Sequence, residues 1–547
     1  MPSTETADEG DFNMKKQGQS IVAGSLILLL ANLLVKIIGA VFKIPLVSLL
    51  GNEGMGYFNA AYQIYAGLFV VATAGLPVAV SKMVSASTVQ GNTKEVKNIF
   101  KCAYIMFIVI GIVGSCVLYF GADRLQSLTK YDNTANAIRT IAPAIFFVSL
   151  MSVYRGFFQG LSNMVPTAIS EVTEAFAKLT VGYVCAYFLI KKSLPAAASG
   201  AIFGVTCGTV LSCAVLMLIY IKEKKNIYAD MASSPASPPL GKICAELIKI
   251  AIPVTISASV FTLTNMIDYA LIGRNLNSIK DFLPASPTEL YGMYTGKAVV
   301  LYNLPPTLIM ALCMSLVPAV SRANALGNKQ LISETATQSL KFTLMFSLPC
   351  CVGLFVLADP ILRLLFPSND AALLLKLLSP AVLFVSMVLV SNAVLQATGH
   401  VMTPVINIAA GGIFKVIINT QLVSNPSINI NGAPIGTTVC YFVYMLLNLI
   451  QIKKITNAQI GFSFWIKPFV SAVVMAVIAY ALYGVLSPVL GGGKLMLAIL
   501  LVICGGISFI AYMLTLLTSG GISKDDISKM PKGDAILSIL VKLKLVK

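Results

Sequence analysis

The run SGAIFGVT at residues 199–206 returns as NGAPIGTT at residues 431–438, with both glycines kept in register. Further residues recur at nearly the same offset, namely Gln159 as Gln396, Lys178 as Lys415, Asp123 as Asp359, and the run Pro77–Lys82 as Pro318–Arg322. Because these separate echoes share almost one period, the pattern indicates that the chain contains two copies of one unit.

The composition is that of a protein embedded in a lipid bilayer. Of the 547 residues 57% are hydrophobic and only 11% are charged, and the mean hydropathy is +0.84, whereas a soluble protein carries about 25% charged residues. This composition excludes the soluble enzymes. A duplicated bundle in so apolar a chain predicts a two-lobed transporter with its site between the lobes.

Apolar stretches of about 20 residues, the length that spans a bilayer as an α-helix, follow one another along the chain. Only helices satisfy their own backbone in lipid, and the sequence shows no short alternating segments of the kind that form barrels. The predicted fold is an all-α polytopic membrane protein with about fourteen transmembrane helices, in two parallel six-helix repeats plus two C-terminal helices. The predicted spans are 20–46, 55–84, 98–121, 134–160, 164–191, 196–221, 243–272, 291–322, 334–358, 371–398, 402–424, 431–452, 464–487 and 493–519.

Lysines concentrate in alternate loops, which predicts the orientation of the chain in the membrane. Cations cluster at residues 94–101, 222–225 and 453–454, so these segments and both termini are predicted to be cytoplasmic. The predicted parts are a polar N-terminal tail (1–19), an N-lobe (20–221), a cytoplasmic linker (222–242), a C-lobe (243–452), spans thirteen and fourteen (453–519) and a basic tail (520–547). The basic tail is either an amphipathic helix on the inner leaflet or a frayed terminus.

The sequence offers little material for catalysis or metal binding. It holds one histidine, His400, and its eleven cysteines show no CxxC spacing, so we interpret them as packing residues. No GxxxxGK[ST] loop is present, which excludes ATP hydrolysis by this chain. We predict no enzyme activity, no metal, no cofactor and no nucleic-acid partner.

Charged residues inside apolar spans are costly and therefore mark candidate functional positions. Lys36 and Lys43 lie two helical turns apart on one face of the first span, with Lys36 near mid-depth. Lys297 and Lys415 are further lysines within spans, and no acid lies near Lys415 on its own helix. Since these lysines outnumber the acids, we predict a cationic cavity and an anionic substrate such as a diphosphate headgroup.

The acidic residues of the spans have structural and functional interpretations. Glu174 precedes Lys178 by one helical turn, which predicts a structural ion pair within the helix. Asp268 either pairs with Arg274 at the membrane edge or binds a cation or a proton.

Several runs resemble the stage V sporulation protein B-like family. They are VKIIG at 35–39, FKI at 42–44, LGNEGMGY at 50–57, PAVS at 318–321 and INGAPIGT at 430–437. The resemblance covers residues 18–520 and extends to the MurJ-type lipid II flippases of the MOP exporter superfamily. It implies two six-helix lobes that carry an undecaprenyl-diphosphate-linked sugar across the bacterial cytoplasmic membrane by alternating access.

The resemblance also implies roles for particular residues. Lys36 fills the position of an essential first-span cation, and Lys43 stands next to the place of a second one. Gln63 occupies the place of an arginine expected in span two, and Lys297 is close to a cation expected in span eight.

Part of a sodium site is implied in the same way. Asp268 and Asn407 fit two of its ligands, but Gly411 stands where a second acid is expected, which argues against sodium coupling.

We therefore predict a flippase that moves a lipid-linked peptidoglycan precursor, lipid II, from the inner to the outer leaflet of the bacterial cytoplasmic membrane. Its predicted partners are the lipid-linked diphosphate sugar, membrane lipids and cell-wall synthesis enzymes. The predicted substrate-binding residues are Lys36, Lys43, Gln63, Lys297 and Lys415, with Asp268 and Asn407 as candidates for ion coupling.

Other functions stay open at this point. They are a flippase for another lipid-linked oligosaccharide, a cation-coupled multidrug antiporter of the same superfamily, a non-transporting envelope assembly factor, and an integral-membrane glycosyltransferase. An antiporter for cationic drugs would favour an acidic, aromatic-lined cavity, whereas this chain is basic and has one tryptophan, Trp465. A glycosyltransferase would favour an acidic DxD-like pair in a loop.

Overall fold

The computed structural model of the chain describes residues 21–131, 133–229, 237–490 and 493–521. The helices of the first half are α1 (Ile21–Thr73), α2 (Gly75–Val89), α3 (Thr93–Thr129), α4 (Ala135–Gly160), α5 (Val165–Leu189), α6 (Leu194–Ala229) and α7 (Leu240–Ser278). A 3₁₀ turn (Lys280–Phe282), α8 (Pro287–Met293), a π-helical turn (Tyr294–Ala298), α9 (Val299–Tyr302) and α10 (Leu304–Ala325) follow. The chain continues through α11 (Lys329–Val356), α12 (Ala358–Leu365), α13 (Ala372–Ala397), α14 (Met402–Leu422), a 3₁₀ turn (Asn429–Asn431), α15 (Gly432–Thr456), α16 (Phe462–Leu490) and α17 (Lys494–Thr518).

Within these described ranges, eleven helical segments are long and apolar enough to cross a membrane. The first, Leu30–Val89, contains the second predicted span and the part of the first predicted span from residue 30 onward. Predicted spans seven and eight coincide with α7 and with the helices from Pro287 to Ala325. Every predicted span therefore falls on a helix, and the prediction of an all-α polytopic membrane protein is confirmed.

The first two predicted spans are joined by a kink instead of a loop. Gly51 alone leaves the helical conformation of α1, with φ 62° and ψ −171°. A glycine has no Cβ and adopts this positive φ without the steric penalty of other residues. The run LGNEG therefore redirects the chain within a single residue.

The chain divides into two compact units, Met1–Arg274 and Asn275–Lys547. In the first unit α3 packs on α4, α4 on α6 and α5 on α6. In the second unit α11 packs on α13, α13 on α15 and α14 on α15. The same order of helix pairs thus recurs in each unit, as the duplication in the sequence predicts.

The boundary between the units lies inside α7, because most of α7 packs against the first unit. Cys102 of α3 forms a disulfide with Cys244 of α7, and the ring of Tyr131 stacks on that of Tyr269 with centroids 5.0 Å apart. Our interpretation of all cysteines as packing residues was wrong for this pair, since a separation of 142 residues leaves no spacing signal. The limits of the predicted lobes and linker stay a prediction.

The repeated glycine run forms a close helix contact in each unit. A Cβ placed on Gly204 of α6 would lie 2.3 Å from the Cα of Gly182 on α5. A Cβ on Gly436, its counterpart in α15, would lie 2.1 Å from Oδ1 of Asn419 on α14. Small residues allow helices in a membrane to approach closely, because van der Waals contact replaces the hydrophobic effect there. The repeated glycine run therefore allows close helix packing in both units.

Candidate functional site

A polar stripe runs along the first part of α1. It consists of Asn32, Lys36, Gly39 and Lys43, whose spacing of three and four residues places them on one helical face. The side chain of Lys36 is exposed and that of Lys43 is half-buried. A Cβ on Gly39 would meet no atom within 4 Å, so the stripe borders open space.

Lys178 of α5 adds a third positive charge beside this stripe. Lys43 lies close enough to Lys178 and Lys36 for their charges to repel its own. The ammonium of Lys178 lies 4.4 Å from the centroid of the Tyr62 ring and 3.4 Å from its hydroxyl. Among the described residues no carboxylate lies within 4 Å of these three lysines. Lys36, Lys43 and Lys178 are called the cationic cluster below.

Arg155 of α4 extends this charged region and was missed by the sequence analysis. Its Nη2 lies 3.2 Å from Oε2 of Glu174, and its Nε donates a hydrogen bond of 3.0 Å to Oγ of Ser170. The available signal was an arginine far inside the predicted span 134–160, since the other arginine of that span, Arg139, lies close to its beginning.

The partners of Glu174 and Lys178 differ from those predicted. Instead of pairing with each other along α5, Glu174 binds Arg155 and Lys178 contacts Tyr62. The reason is tertiary packing, because α4 and α1 bring a guanidinium and an aromatic face to α5, whereas the sequence displays only neighbours on the same helix.

Glu171 completes the charged region of the first unit. It stands one turn before Glu174, and its Oε2 is buried with no hydrogen-bond partner among the described residues. Two acids therefore accompany Arg155 and the three lysines of the cationic cluster. Positive charge exceeds negative charge in this part of the first unit.

An aromatic ladder on α1 supports Tyr62, the residue that contacts Lys178. The ring pairs are Phe42–Phe58 (6.1 Å), Phe58–Tyr62 (5.9 Å), Tyr62–Tyr65 (5.8 Å) and Tyr65–Phe69 (5.7 Å between centroids). Such pairs add specific geometry to apolar burial. Gln63, a predicted binding residue, follows Tyr62 in the sequence and is half-buried.

In the second unit Lys297 lies in an ion pair. Its Nζ is 2.5 Å from Oδ1 of Asp370 and donates a hydrogen bond of 2.8 Å to Oγ of Ser368, and the residue is 2% exposed. Asp370 neutralises this lysine, so Lys297 does not add an open cation. The sequence could not show the pair, because Asp370 comes from a loop far along the chain.

Lys415 and Asn407 lie buried on α14. Lys415 is 5% exposed and lies near Tyr441 of α15. Asn407 donates a hydrogen bond of 2.8 Å to Oδ1 of Asn448. The Nδ2 of Asn448 donates to Oδ1 of Asn392 (2.8 Å) and to Oγ of Ser391 (2.9 Å).

This network is uncharged, and the described residues add no carboxylate to it. The backbone of Gly411, where a second acid was expected, packs against the carbonyl of Cys440. The side chain of Asp268 lies outside the described residues. The coupling roles of Asn407 and Asp268 stay a prediction.

Comparison with known families gives two matches. The model of the family described as "Polysaccharide biosynthesis protein" matches residues 21–324. The model of the family described as "MatE" matches residues 301–420. The first covers more than half of the chain and includes every residue of the cationic cluster.

Two curated proteins of Bacillus subtilis are similar along almost the whole chain. Stage V sporulation protein B is 26% identical over 514 residues, which cover 94% of this chain and 98% of that protein. The lipid II flippase MurJ is 25% identical over 519 residues, covering 90% of this chain and 94% of that one. Among solved structures, lipid II flippase MurJ in an inward closed conformation has a TM-score of 0.67 at 15% identity, covering 89% of this chain and 98% of that chain.

Proposed function

The chain belongs to the polysaccharide biosynthesis protein family, within the MOP exporter superfamily of stage V sporulation protein B and the MurJ-type flippases, and on that premise we propose that it is a flippase for lipid II. It is a multi-pass membrane protein and a transporter, not an enzyme. The proposed cargo is an undecaprenyl-diphosphate-linked peptidoglycan precursor, moved from the inner to the outer leaflet of the bacterial cytoplasmic membrane.

The cationic cluster is the observation that carries this proposal. Three lysines at membrane depth, with no described carboxylate within 4 Å, are costly unless an anion or water compensates them. A diphosphate supplies that anion. Lysine binds phosphate as a point charge without the planar fork of arginine, so the cluster suits a flexible headgroup that must also be released.

The proposed mechanism assigns each charged residue a role. Lys36, exposed on the α1 stripe, makes the principal contact with the diphosphate. Lys43 and Lys178 raise the positive potential around it. Glu174 holds Arg155 on α4, which keeps the guanidinium in place while the headgroup enters and leaves. The polyprenyl tail stays in the lipid, and alternating access exposes the headgroup first to the inner and then to the outer side, with both termini in the cytoplasm.

A second candidate cargo is another lipid-linked oligosaccharide. The observation that favours it is the near-equal identity of the chain to stage V sporulation protein B, 26%, and to MurJ, 25%. Both cargoes share the diphosphate that the cluster would bind and differ in the glycan. The antiporter alternative gains nothing from the cluster, because positive charge repels cationic drugs. Contact with cell-wall synthesis enzymes remains part of the proposal.

Complementation separates the two cargoes. We expect the full chain, expressed in a strain depleted of its own essential lipid II flippase, to restore growth, because the same headgroup must cross the same membrane. Colony counts after depletion measure the effect, and the expected gain over the empty vector is at least a hundredfold, since an essential step is restored. Absence of growth at a membrane level equal to that of a functional flippase would assign the protein to the second cargo.

A further inference from the structure

The second unit has a groove that is lined by none of the candidate site residues. It runs between α13 and α15, has a volume of about 400 Å³ and is lined mainly by aliphatic and aromatic side chains. The cationic cluster belongs to the first unit, so occupancy of this groove does not depend on which headgroup is transported. The lining includes one charged residue, Lys453, which lies at one end.

The length of the groove matches one leaflet of a bilayer. Its apolar end is closed by Phe384 of α13 and Phe442 of α15, whose rings meet edge to face with centroids 5.3 Å apart. From Phe442 to Lys453, α15 rises about 16 Å at 1.5 Å per residue. The hydrocarbon core of a bilayer is about 30 Å thick, so a groove that begins with Lys453 at the headgroup level would extend to near the midplane.

The other end has the chemistry of a membrane interface. Lys453 and Lys454 form the basic last turn of α15, and both are exposed. Trp465, half-buried near the start of α16, lines the same end. Tryptophan prefers the headgroup level of a bilayer, and lysines there attract anionic lipids. No acid is among the residues that line the groove.

We propose that this groove binds one anionic phospholipid, with its phosphate at Lys453 and an acyl chain between α13 and α15. Charge complementarity selects this occupant, because the entrance is positive and the wall is apolar. The basic C-terminal tail of the chain, which carries Lys542, Lys544 and Lys547, has the wrong sign of charge for the same entrance.

A second groove of similar size provides a control within the same molecule. It lies between α3 and α4 of the first unit, has a volume of about 360 Å³ and is lined by residues that include Cys116, Tyr119 and Phe146. None of its lining residues is charged. We therefore expect it to accept acyl chains without preference for the headgroup.

The test is native mass spectrometry of the delipidated full chain with phosphatidylglycerol or phosphatidylcholine of identical acyl chains. We expect the wild type to retain phosphatidylglycerol about fivefold more tightly, the factor for one lysine near an anionic lipid. Lys453→Ala removes this preference. Leu446→Trp fills the groove and weakens binding of both lipids, whereas Cys116→Trp, which fills the uncharged groove, leaves the preference intact.

Three outcomes would overturn the proposal. The first is equal retention of the two lipids by the wild type. The second is a preference for phosphatidylglycerol that survives both Lys453→Ala and Leu446→Trp. The third is displacement of bound phosphatidylglycerol by polyprenyl phosphate at equimolar concentration, which would assign the groove to the tail of the transported lipid.

Discussion

Replacing Lys36 with alanine is expected to abolish transport of the lipid-linked diphosphate. Lys36 is exposed on the α1 stripe, and in the proposed mechanism the bound diphosphate covers its ammonium and forms a charge pair with it. Removing one partner of such a charge pair costs about 2–5 kcal/mol, which is roughly a thirtyfold or greater loss in rate. The measurement is the fraction of lipid II accessible on the outer face of cells that depend on this chain.

Two variants control for folding and for charge in general. Lys36→Arg keeps the positive charge and should retain most of the transport. Lys222→Ala removes an exposed lysine of α6 that lies outside the cluster and should transport at the rate of the wild type. If Lys36→Ala is present in the membrane in the same amount as the wild type and transports at the same rate, the cationic cluster has no role in transport.

Replacing Glu174 with alanine is expected to destabilise the first unit strongly. Glu174 and Arg155 form an ion pair whose side chains are only 23% and 13% exposed. Loss of one partner from a buried pair costs about 3–5 kcal/mol, because the remaining charge loses its ion-pair partner. Thermal unfolding of the purified protein in detergent, followed by loss of the monodisperse peak, measures the effect.

The pair Arg139–Asp123 is a matched control on the surface of the same unit. Its side chains are 35% and 72% exposed, so Asp123→Ala should change the free energy of unfolding by about 0–1 kcal/mol. The double replacement of Arg155 and Glu174 by Met and Leu should recover much of the stability lost in Glu174→Ala. If Glu174→Ala and Asp123→Ala lower the free energy of unfolding equally, the buried pair stabilises the protein no more than the surface pair does.

The helices could be predicted because the bilayer sets their length. Apolar runs of about 20 residues can be read directly along the sequence, and each of them falls on a helix. The kink at Gly51 was less visible, since a single residue with positive φ replaces the expected loop. The glycine run at residues 199–206 was informative because a close helix contact tolerates no Cβ at Gly204.

The partners of the charged residues could not be predicted, because they lie on other helices. The sequence displays neighbours at one helical turn, and for Glu174 this indicated Lys178. Packing instead brings Arg155 from α4. Likewise the ion pair that neutralises Lys297 depends on Asp370, which the packing of α13 brings close. Periodicity identifies the face of a helix but not the residue opposite it.

Lys36 and Lys43 were identified because they are charged residues inside an apolar span, and their spacing places them on one helical face. What the sequence could not supply is the approach of Lys178 from α5, which Tyr62 and the aromatic ladder hold in place. Two lysines of the cluster, Lys36 and Lys43, lie on one helix, so their proximity was predictable from helical geometry. The position of Lys178 could not be predicted, because it depends on the packing of α5 on α1.

Transport in proteoliposomes tests most directly whether this protein moves an anionic lipid headgroup across the bilayer. Purified protein is reconstituted with fluorescent lipid II or with the same polyprenyl-linked glycan lacking the diphosphate, and the fraction that crosses is quenched from outside. We predict that the diphosphate-linked lipid crosses and that the neutral lipid does not. Equal crossing of both lipids, or crossing of neither by protein that is folded and monodisperse, would contradict the account.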